Sequence, residues 1–224
     1  PRDRPVVRSR TDPALPGRCP RCWLVRAYCV CSQIPALAPS VELVIVRHHA
    51  EARRSSGTAR LALLAIPGSG LVECGADLAA ASVALAERLA AAPCPTWLLF
   101  PDGGATAAPA PPPRRLVVLD GTWREVRRML HRLPALHPLP RLSLPAAPPP
   151  PLRLRQAPSS ESRSTLEAIA DALAVLGDEG SSRALHELYR RFAEQGLRAR
   201  GTFGYHSRPV AAADDGGPVP RERG

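Results

Sequence analysis

The 224-residue chain contains no lysine and no asparagine, so all 30 of its basic residues are arginine. Both missing residues have AT-rich codons, which indicates a GC-rich genome and attributes part of the arginine content to codon usage. The sequence also lacks any uninterrupted apolar run long enough to span a membrane. No apolar signal region follows Pro1–Arg4, and we therefore expect the cytoplasm as the location.

The charged residues of the sequence are predominantly basic. The formal net charge is +10 and the isoelectric point is near 10.5. Such an excess favours a polyanionic partner, and arginine adds forked phosphate contacts and planar stacking that lysine cannot make. A hydrophobic fraction of 45% supports one substantial domain, while 27 prolines indicate long irregular segments beside it. Nucleic acid is the partner that this composition favours.

Four cysteines lie close together near the N-terminus with the spacing C-x2-C-x6-C-x-C: Cys19, Cys22, Cys29 and Cys31. In a cytosolic chain, as expected here, this clustering predicts a tetrahedral structural zinc site rather than a disulfide framework. Two alternatives stay open, namely a set of small buried residues and a redox pair. Arginines and two aromatic residues, Trp23 and Tyr28, surround the cluster, as in nucleic-acid contacts.

Apolar runs and helical periodicity alternate through the centre of the chain. This order predicts an α/β fold with a largely parallel sheet and helices on both faces. The predicted strands are 41–47, 71–74, 96–100, 116–120 and one more short run at 152–155, which follows a proline-punctuated passage over 134–151. The predicted helices are 58–67, 78–91, 122–133, 164–176 and 183–198.

The stretch from Leu116 to Arg124 brings unusual chemistry to one point of this pattern. A buried strand ends on Asp120, Gly121 permits a tight turn, and a helix with Thr122 and Trp123 at its start follows. In parallel sheets, ligands bind at the carboxyl ends of the strands, and helix N-termini favour anions. The alternative is that Asp120 and Thr122 only cap the helix, and that Trp123 packs beneath it.

Two other segments carry chemistry-bearing side chains. The turn after the first strand, 48–58, combines two histidines, Arg53, Arg54 and a Ser-Gly sequence, and it could hold a phosphate before the next helix. Ser164 with Glu167 three residues later has the pattern of a capping box. The capping pattern leaves a purely structural role open for both residues.

Taken together, these motifs resemble the DTW-domain family of tRNA-uridine aminocarboxypropyltransferases. The resemblance covers roughly residues 19 to 195, on the scale of one domain. Its anchors are the cysteine cluster, Ile34-Pro35, His49 with Glu51, 58–61, Phe100-Pro101, 119–123, Leu154-Arg155 and 164–168. It implies a SPOUT-like α/β fold, knotted or unknotted. We therefore expect a disordered segment 1–17, a zinc-binding cluster 18–36, a catalytic domain 37–200 and a flexible tail 201–224.

The resemblance also implies an activity: transfer of the 3-amino-3-carboxypropyl group of S-adenosylmethionine to N3 of a tRNA uridine. Asp120 is then the expected catalytic base, because the weakly acidic N3 proton must be removed. The expected residues for the co-substrate are Arg60, Pro101, Asp102, Gly121, Thr122, Trp123, Ser164 and Thr165. The expected tRNA-binding residues are Arg47, Arg53, Arg54, Arg124, Arg153 and Arg155. Zinc would be structural, and tRNA the partner.

Two other function classes remain compatible with the same residues. A SPOUT-type RNA methyltransferase would use the same co-substrate but deliver its methyl group. A non-catalytic zinc-dependent RNA-binding protein would need the cysteines and arginines but not Asp120.

Overall fold

The computed structural model describes residues 17–75, 77–101, 111–146, 152–154 and 162–201. At its centre lie five parallel strands in the order β2-β1-β4-β3-β5. They are β1 Glu42–His48, β2 Gly70–Cys74, β3 Thr96–Leu99, β4 Arg115–Asp120 and β5 Arg141–Leu142. The expectations for segment 1–16, the tail from 202 onward, Asp102 and Arg155 fall outside the described residues.

Six α-helices accompany the strands in this part of the chain. They are α1 His49–Ala52, α2 Ala59–Ala65, α3 Leu78–Ala90, α4 Trp123–Arg132, α5 Thr165–Val175 and α6 Glu179–Arg198. Asp77 and Asp178 cap α3 and α6, each accepting a hydrogen bond from a backbone N–H three residues later. None of the described helices is long and apolar enough to cross a membrane.

Alternate residues of the central strands pack into two different cores, one on each face of the sheet. Leu43 and Ile45 of β1 join α2, α5, α6 and the cysteine cluster on one side. Val44 and Val46 of the same strand join α3 and α4 on the other. Because successive side chains of a strand point to opposite faces, both faces must be covered. The prediction of a parallel sheet with helices on both faces is thereby confirmed.

The structure differs from the sequence-based expectations in four places, the first being the short strand β5, which was not predicted. The turn after β1 contains the one-turn helix α1, for which His48 accepts a hydrogen bond from the N–H of Ala50. Residues 152–154 form no strand, so that prediction is wrong for the part of 152–155 that is described. Helix α6 begins four residues before the predicted start, because Asp178 caps its first turn. Local caps extend helices beyond their apolar pattern.

The strand order places the ends of β1 and β4 side by side, with Arg47 opposite Asp120. From β1 the chain moves outward to β2, then crosses to the other side of β1 to form β3 and β4. The strand order therefore reverses between β1 and β4. Beyond the carboxyl ends of strands at such a reversal, open α/β sheets leave a crevice for ligands.

Candidate active site

A cavity of about 460 Å³ opens at the carboxyl ends of β3 and β4. Its volume lies within the range of roughly 300–1,000 Å³ that is usual for small-molecule sites. The floor comes from the ends of these strands, and the walls come from the loop 51–58, the start of α4 and the start of α5. Six of the residues expected to hold the co-substrate line the cavity: Pro101, Gly121, Thr122, Trp123, Ser164 and Thr165.

Asp120 lies at the bottom of this cavity, with only 4% of its surface exposed. The hydroxyl of Thr165 donates a hydrogen bond of 2.6 Å to Asp120 Oδ1. This contact joins the end of β4 to the first turn of α5, two elements 45 residues apart in the chain. The cavity therefore contains a buried carboxylate whose orientation is fixed from a second element.

Thr122, and not Asp120, caps helix α4. The Thr122 side chain accepts a hydrogen bond of 3.4 Å from the N–H of Glu125, whose carboxylate accepts one of 2.7 Å from the N–H of Thr122. This reciprocal pair is a capping box. The capping interpretation is thus right for Thr122 and wrong for Asp120. A Cβ at Gly121 would lie 3.1 Å from that of Glu125, so a larger residue there would crowd the capping box.

Helix α5 begins at the cavity with a second capping box, between Ser164 and Glu167, as the sequence predicts. Burial raises the pKa of Glu167, although its hydrogen bonds to Ser164 oppose the effect. The N–H of Leu166 donates to the hydroxyl of Thr58 over 3.2 Å, which fixes this helix start against α2. The positive ends of the α4 and α5 dipoles therefore meet at one cavity, where they favour a negatively charged ligand group.

Two features of the cavity wall were not predicted. Glu51 is 3% exposed and accepts a hydrogen bond of 2.6 Å from Arg54, which makes it a second buried acid. At the rim, the Trp123 ring is 44% exposed and meets Phe100 edge-on, with ring centroids 6.0 Å apart. A carboxylate within three residues of a strand end is a usable signal for Glu51. The adjacency of β1 and β4, which brings Glu51 to this cavity, has no local signal.

The remaining predicted residues are distributed over different surroundings. Arg60 does not line the cavity: its guanidinium lies 3.4 Å from the centroid of the Trp23 ring and donates to the Arg54 carbonyl. Arg47 pairs with Glu73. Of the other arginines expected to bind tRNA, Arg54 and Arg153 line the cavity, whereas Arg53 and Arg124 are exposed at the surface.

His48 and His49 lie away from this cavity, beside a smaller one of about 120 Å³. The Nδ1 atom of His48 accepts the N–H of Ala50 at 3.3 Å, which gives His48 the role of a helix cap. Cys74 faces the same small cavity, and burial raises the pKa of its thiol.

The four N-terminal cysteines converge on one point, with all their sulfur atoms within 4.8 Å of one another. The Sγ atoms of Cys19 and Cys31 are 3.5 Å apart, and those of Cys22 and Cys29 are 3.7 Å apart. Four sulfurs bound at about 2.3 Å around a tetrahedral zinc would be separated by roughly 3.8 Å. The set has the chemistry and spacing that a structural zinc requires.

The thiols of this cluster differ in pKa. Burial works against ionisation of Cys19, yet backbone N–H groups of Cys22 and Arg21 and the neighbouring thiols lower its pKa to about 6. Burial instead raises the pKa of Cys31, and the other three sulfurs add to this effect.

The chain is similar to known proteins over most of its length. The family profile "DTW domain" matches residues 17–197, which include the cysteine cluster and the cavity. A relative from Drosophila melanogaster, tRNA-uridine aminocarboxypropyltransferase 2, is 31% identical over 184 residues, covering 75% of this chain and 70% of the relative. No solved structure matches the chain.

Proposed function

Because the chain belongs to the DTW domain family, we propose that it is a tRNA-uridine aminocarboxypropyltransferase. The co-substrate is S-adenosylmethionine. In the reaction, N3 of a tRNA uridine bonds to the aminocarboxypropyl carbon next to sulfur. The bond between that carbon and sulfur breaks with both electrons going to sulfur, so neutral methylthioadenosine leaves. The N3 proton passes to a base of the protein.

The observation that carries this proposal is the fixed carboxylate of Asp120 in the cavity. We assign it the role of the base. The Thr165 hydroxyl occupies one side of Oδ1 and holds the carboxylate in one orientation. Positioned acid–base groups contribute about 10²- to 10⁴-fold to a rate. Transfer of the aminocarboxypropyl chain rather than the methyl group also requires positioning. Three carbons are bonded to the sulfonium, and only the first carbon of the aminocarboxypropyl chain must face N3 of the uridine.

The starts of α4 and α5 would hold the amino-acid part of S-adenosylmethionine. Its carboxylate is suited to the backbone N–H groups and positive dipole ends at Gly121–Trp123 and Ser164–Thr165. This route replaces Arg60, whose guanidinium is occupied by Trp23 and the Arg54 carbonyl. Pro101 and the Trp123 ring border the same space and would contact the adenosine part. Asp102 keeps this role by resemblance alone.

We further propose that the four-cysteine cluster holds one structural zinc. Four thiolates leave no open coordination position, so such a metal stabilises the fold and takes no part in the transfer. The cluster packs into the core beside α2 and α6. We also propose the SPOUT-like fold type, the domain boundaries given above and a cytoplasmic location.

The decisive experiment is identification of the product. The chain would be incubated with unmodified tRNA and S-adenosylmethionine, and the tRNA nucleosides analysed by mass spectrometry. We expect a uridine carrying the aminocarboxypropyl group, with methylthioadenosine released in equal amount. A methylated nucleoside with S-adenosylhomocysteine would instead identify a methyltransferase. tRNA binding without any modified nucleoside would identify a non-catalytic RNA-binding protein.

A further inference from the structure

The outer face of helix α4 consists of basic side chains. Its buried side chains, Val126 and Met129, contact the core between α4 and the sheet. The opposite face of the helix exposes five residues, here called the α4 ridge: Arg124, Arg127, Arg128, His131 and Arg132. At 100° per residue, these five positions lie within one continuous sector of the helix surface. Four permanent positive charges are therefore presented in the same direction.

The ridge arginines differ from many other arginines in forming no ion pair with a carboxylate of the described residues. Among the described residues, ion pairs engage the arginines at positions 47, 54, 88, 115, 163, 190 and 191. No described carboxylate forms an ion pair with a ridge arginine. The single acid of α4, Glu125, is used by the capping box and lies next to His48. The ridge charge is therefore not neutralised within the described part of the chain.

Parts of this arrangement cost stability in the isolated protein, although Arg132 in the last turn of α4 is favourably placed for the helix dipole. Arg124 lies in the first turn of α4, at the positive end of the helix dipole, where a cation is unfavourable. Like charges four residues apart, as in Arg124–Arg128 and Arg128–Arg132, are destabilising by about 0.2–0.5 kcal/mol per pair. A polyanion bound to the ridge removes both penalties. Codon usage can explain the number of arginines, but it does not explain why those on this face form no ion pair with any described carboxylate.

The ridge begins where the cavity opens. Trp123, at the first position of α4, is at the cavity rim beside Phe100. The guanidinium of Arg141 lies 5.3 Å from the Phe100 ring centroid and continues the positive surface across the rim. Arg124, Arg128 and Arg132 are spaced by about 6 Å along the helix axis and so span about 12 Å. A nucleic-acid strand that follows the ridge would reach the cavity at the N-terminal end of α4.

We propose that the α4 ridge, together with Arg141, binds the sugar–phosphate backbone of the tRNA next to the uridine that is modified. The inference rests on the proposed function, since it assigns the macromolecular substrate of the same cavity to one surface. Arginine suits this role because its planar fork contacts phosphate oxygens in pairs. Of the arginines expected from the sequence to contact RNA, only Arg124 belongs to this surface.

The test compares two triple variants that lose the same charge. The ridge variant carries Arg127→Gln, Arg128→Gln and Arg132→Gln. The matched control carries Arg183→Gln, Arg190→Gln and Arg191→Gln on α6. Glutamine is a good helix former and these side chains are at the surface, so both variants should fold, which circular dichroism melting checks. Dissociation constants for tRNA, without co-substrate, are measured over a range of salt concentrations.

We expect the ridge variant to bind tRNA about 10- to 100-fold more weakly near physiological salt, with a log–log salt slope shallower by roughly 2–3. The control should stay within about threefold of the parent, and both variants should bind S-adenosylmethionine like the parent. Equal losses in the two variants, or no loss in the ridge variant, would overturn the proposal. These measurements need no turnover. A parent that binds tRNA through the ridge but forms no aminocarboxypropyl product would therefore refute the proposed function alone.

Discussion

The replacement Asp120→Asn tests the chemical role of the cavity most directly. Asparagine keeps the shape of the side chain and can still accept the hydrogen bond from Thr165 through its Oδ1 atom. It cannot take up the uridine proton. Asparagine is the same size as aspartate, so the replacement leaves no cavity. The side chain is 4% exposed, so replacing the acid also removes the cost of burying a charge. Folding should therefore be nearly unaffected while proton removal is lost.

The expected loss follows from these contacts. A positioned general base contributes about 10²- to 10⁴-fold, which equals roughly 2.7–5.4 kcal/mol of barrier at 1.36 kcal/mol per tenfold change. The free energy of unfolding should change by less than about 1 kcal/mol, which corresponds to a shift of roughly 2–4 °C in Tm for a chain of this size. Single-turnover transfer to tRNA at saturating S-adenosylmethionine isolates the chemical step, and calorimetry measures co-substrate affinity.

A matched control is available at a genuine helix cap. Asp178 accepts the N–H of Ser181 at the start of α6, and asparagine caps about as well as aspartate. Asp178→Asn should therefore transfer at the parent rate with a similar Tm. If Asp120→Asn behaved in the same way as this control, Asp120 would not be the base, and the mechanism proposed above would be refuted.

Four further outcomes are expected. Thr165→Val should slow transfer by about tenfold or more, since a hydrogen bond to a charged group is worth roughly 1.5–3 kcal/mol, whereas the serine variant should retain the parent rate. Glu42→Ala should lower the free energy of unfolding by about 2–4 kcal/mol in chemical denaturation, because Arg115, 2% exposed, loses the carboxylate 2.9 Å from its Nε. A hydrogen bond to Asp171 raises the pKa of His186 above its ordinary 6.5, so the stability lost in a His186→Ala variant should be largest near pH 5–6 and shrink as pH rises past that raised value. Metal analysis of the reduced protein should find one zinc per chain, and a strong chelator should lower Tm; an unchanged Tm after complete metal removal would contradict a structural role.

Local sequence signals predicted the elements well, because each has a cause within a few residues. The strand ending at Asp120 was predicted from the apolar run at 116–119, and all residues of β4 are buried. The start of α5 follows from Ser164 and Glu167, whose capping box needs only their own turn. The cysteine spacing likewise contained enough information to predict that four sulfurs converge.

The features that the sequence did not predict depend on contacts between residues far apart in the chain. The hydrogen bond between Thr165 and Asp120 joins residues 45 positions apart and depends on how α5 packs beside β4. Glu51 reaches the cavity only because β1 and β4 are neighbours. Arg60 was expected near the co-substrate because the carboxylate of S-adenosylmethionine needs a cation or backbone N–H groups. The side chain of a residue in the first turn points back toward the helix N-terminus, and here that direction leads to Trp23.

The stacking of Arg60 on Trp23 has a consequence for how substitutions combine. Trp23 belongs to the cysteine cluster and adopts a positive φ of 65°, which is unusual for an aromatic residue. Arg60 contacts its ring and also binds the carbonyl of Arg54, whose side chain holds Glu51 at the cavity. A substitution in the cysteine cluster and a substitution in the cavity wall would therefore both disturb Arg60. Their energetic effects should be non-additive, as in a double-mutant cycle, although the sulfur atoms take no part in the cavity itself.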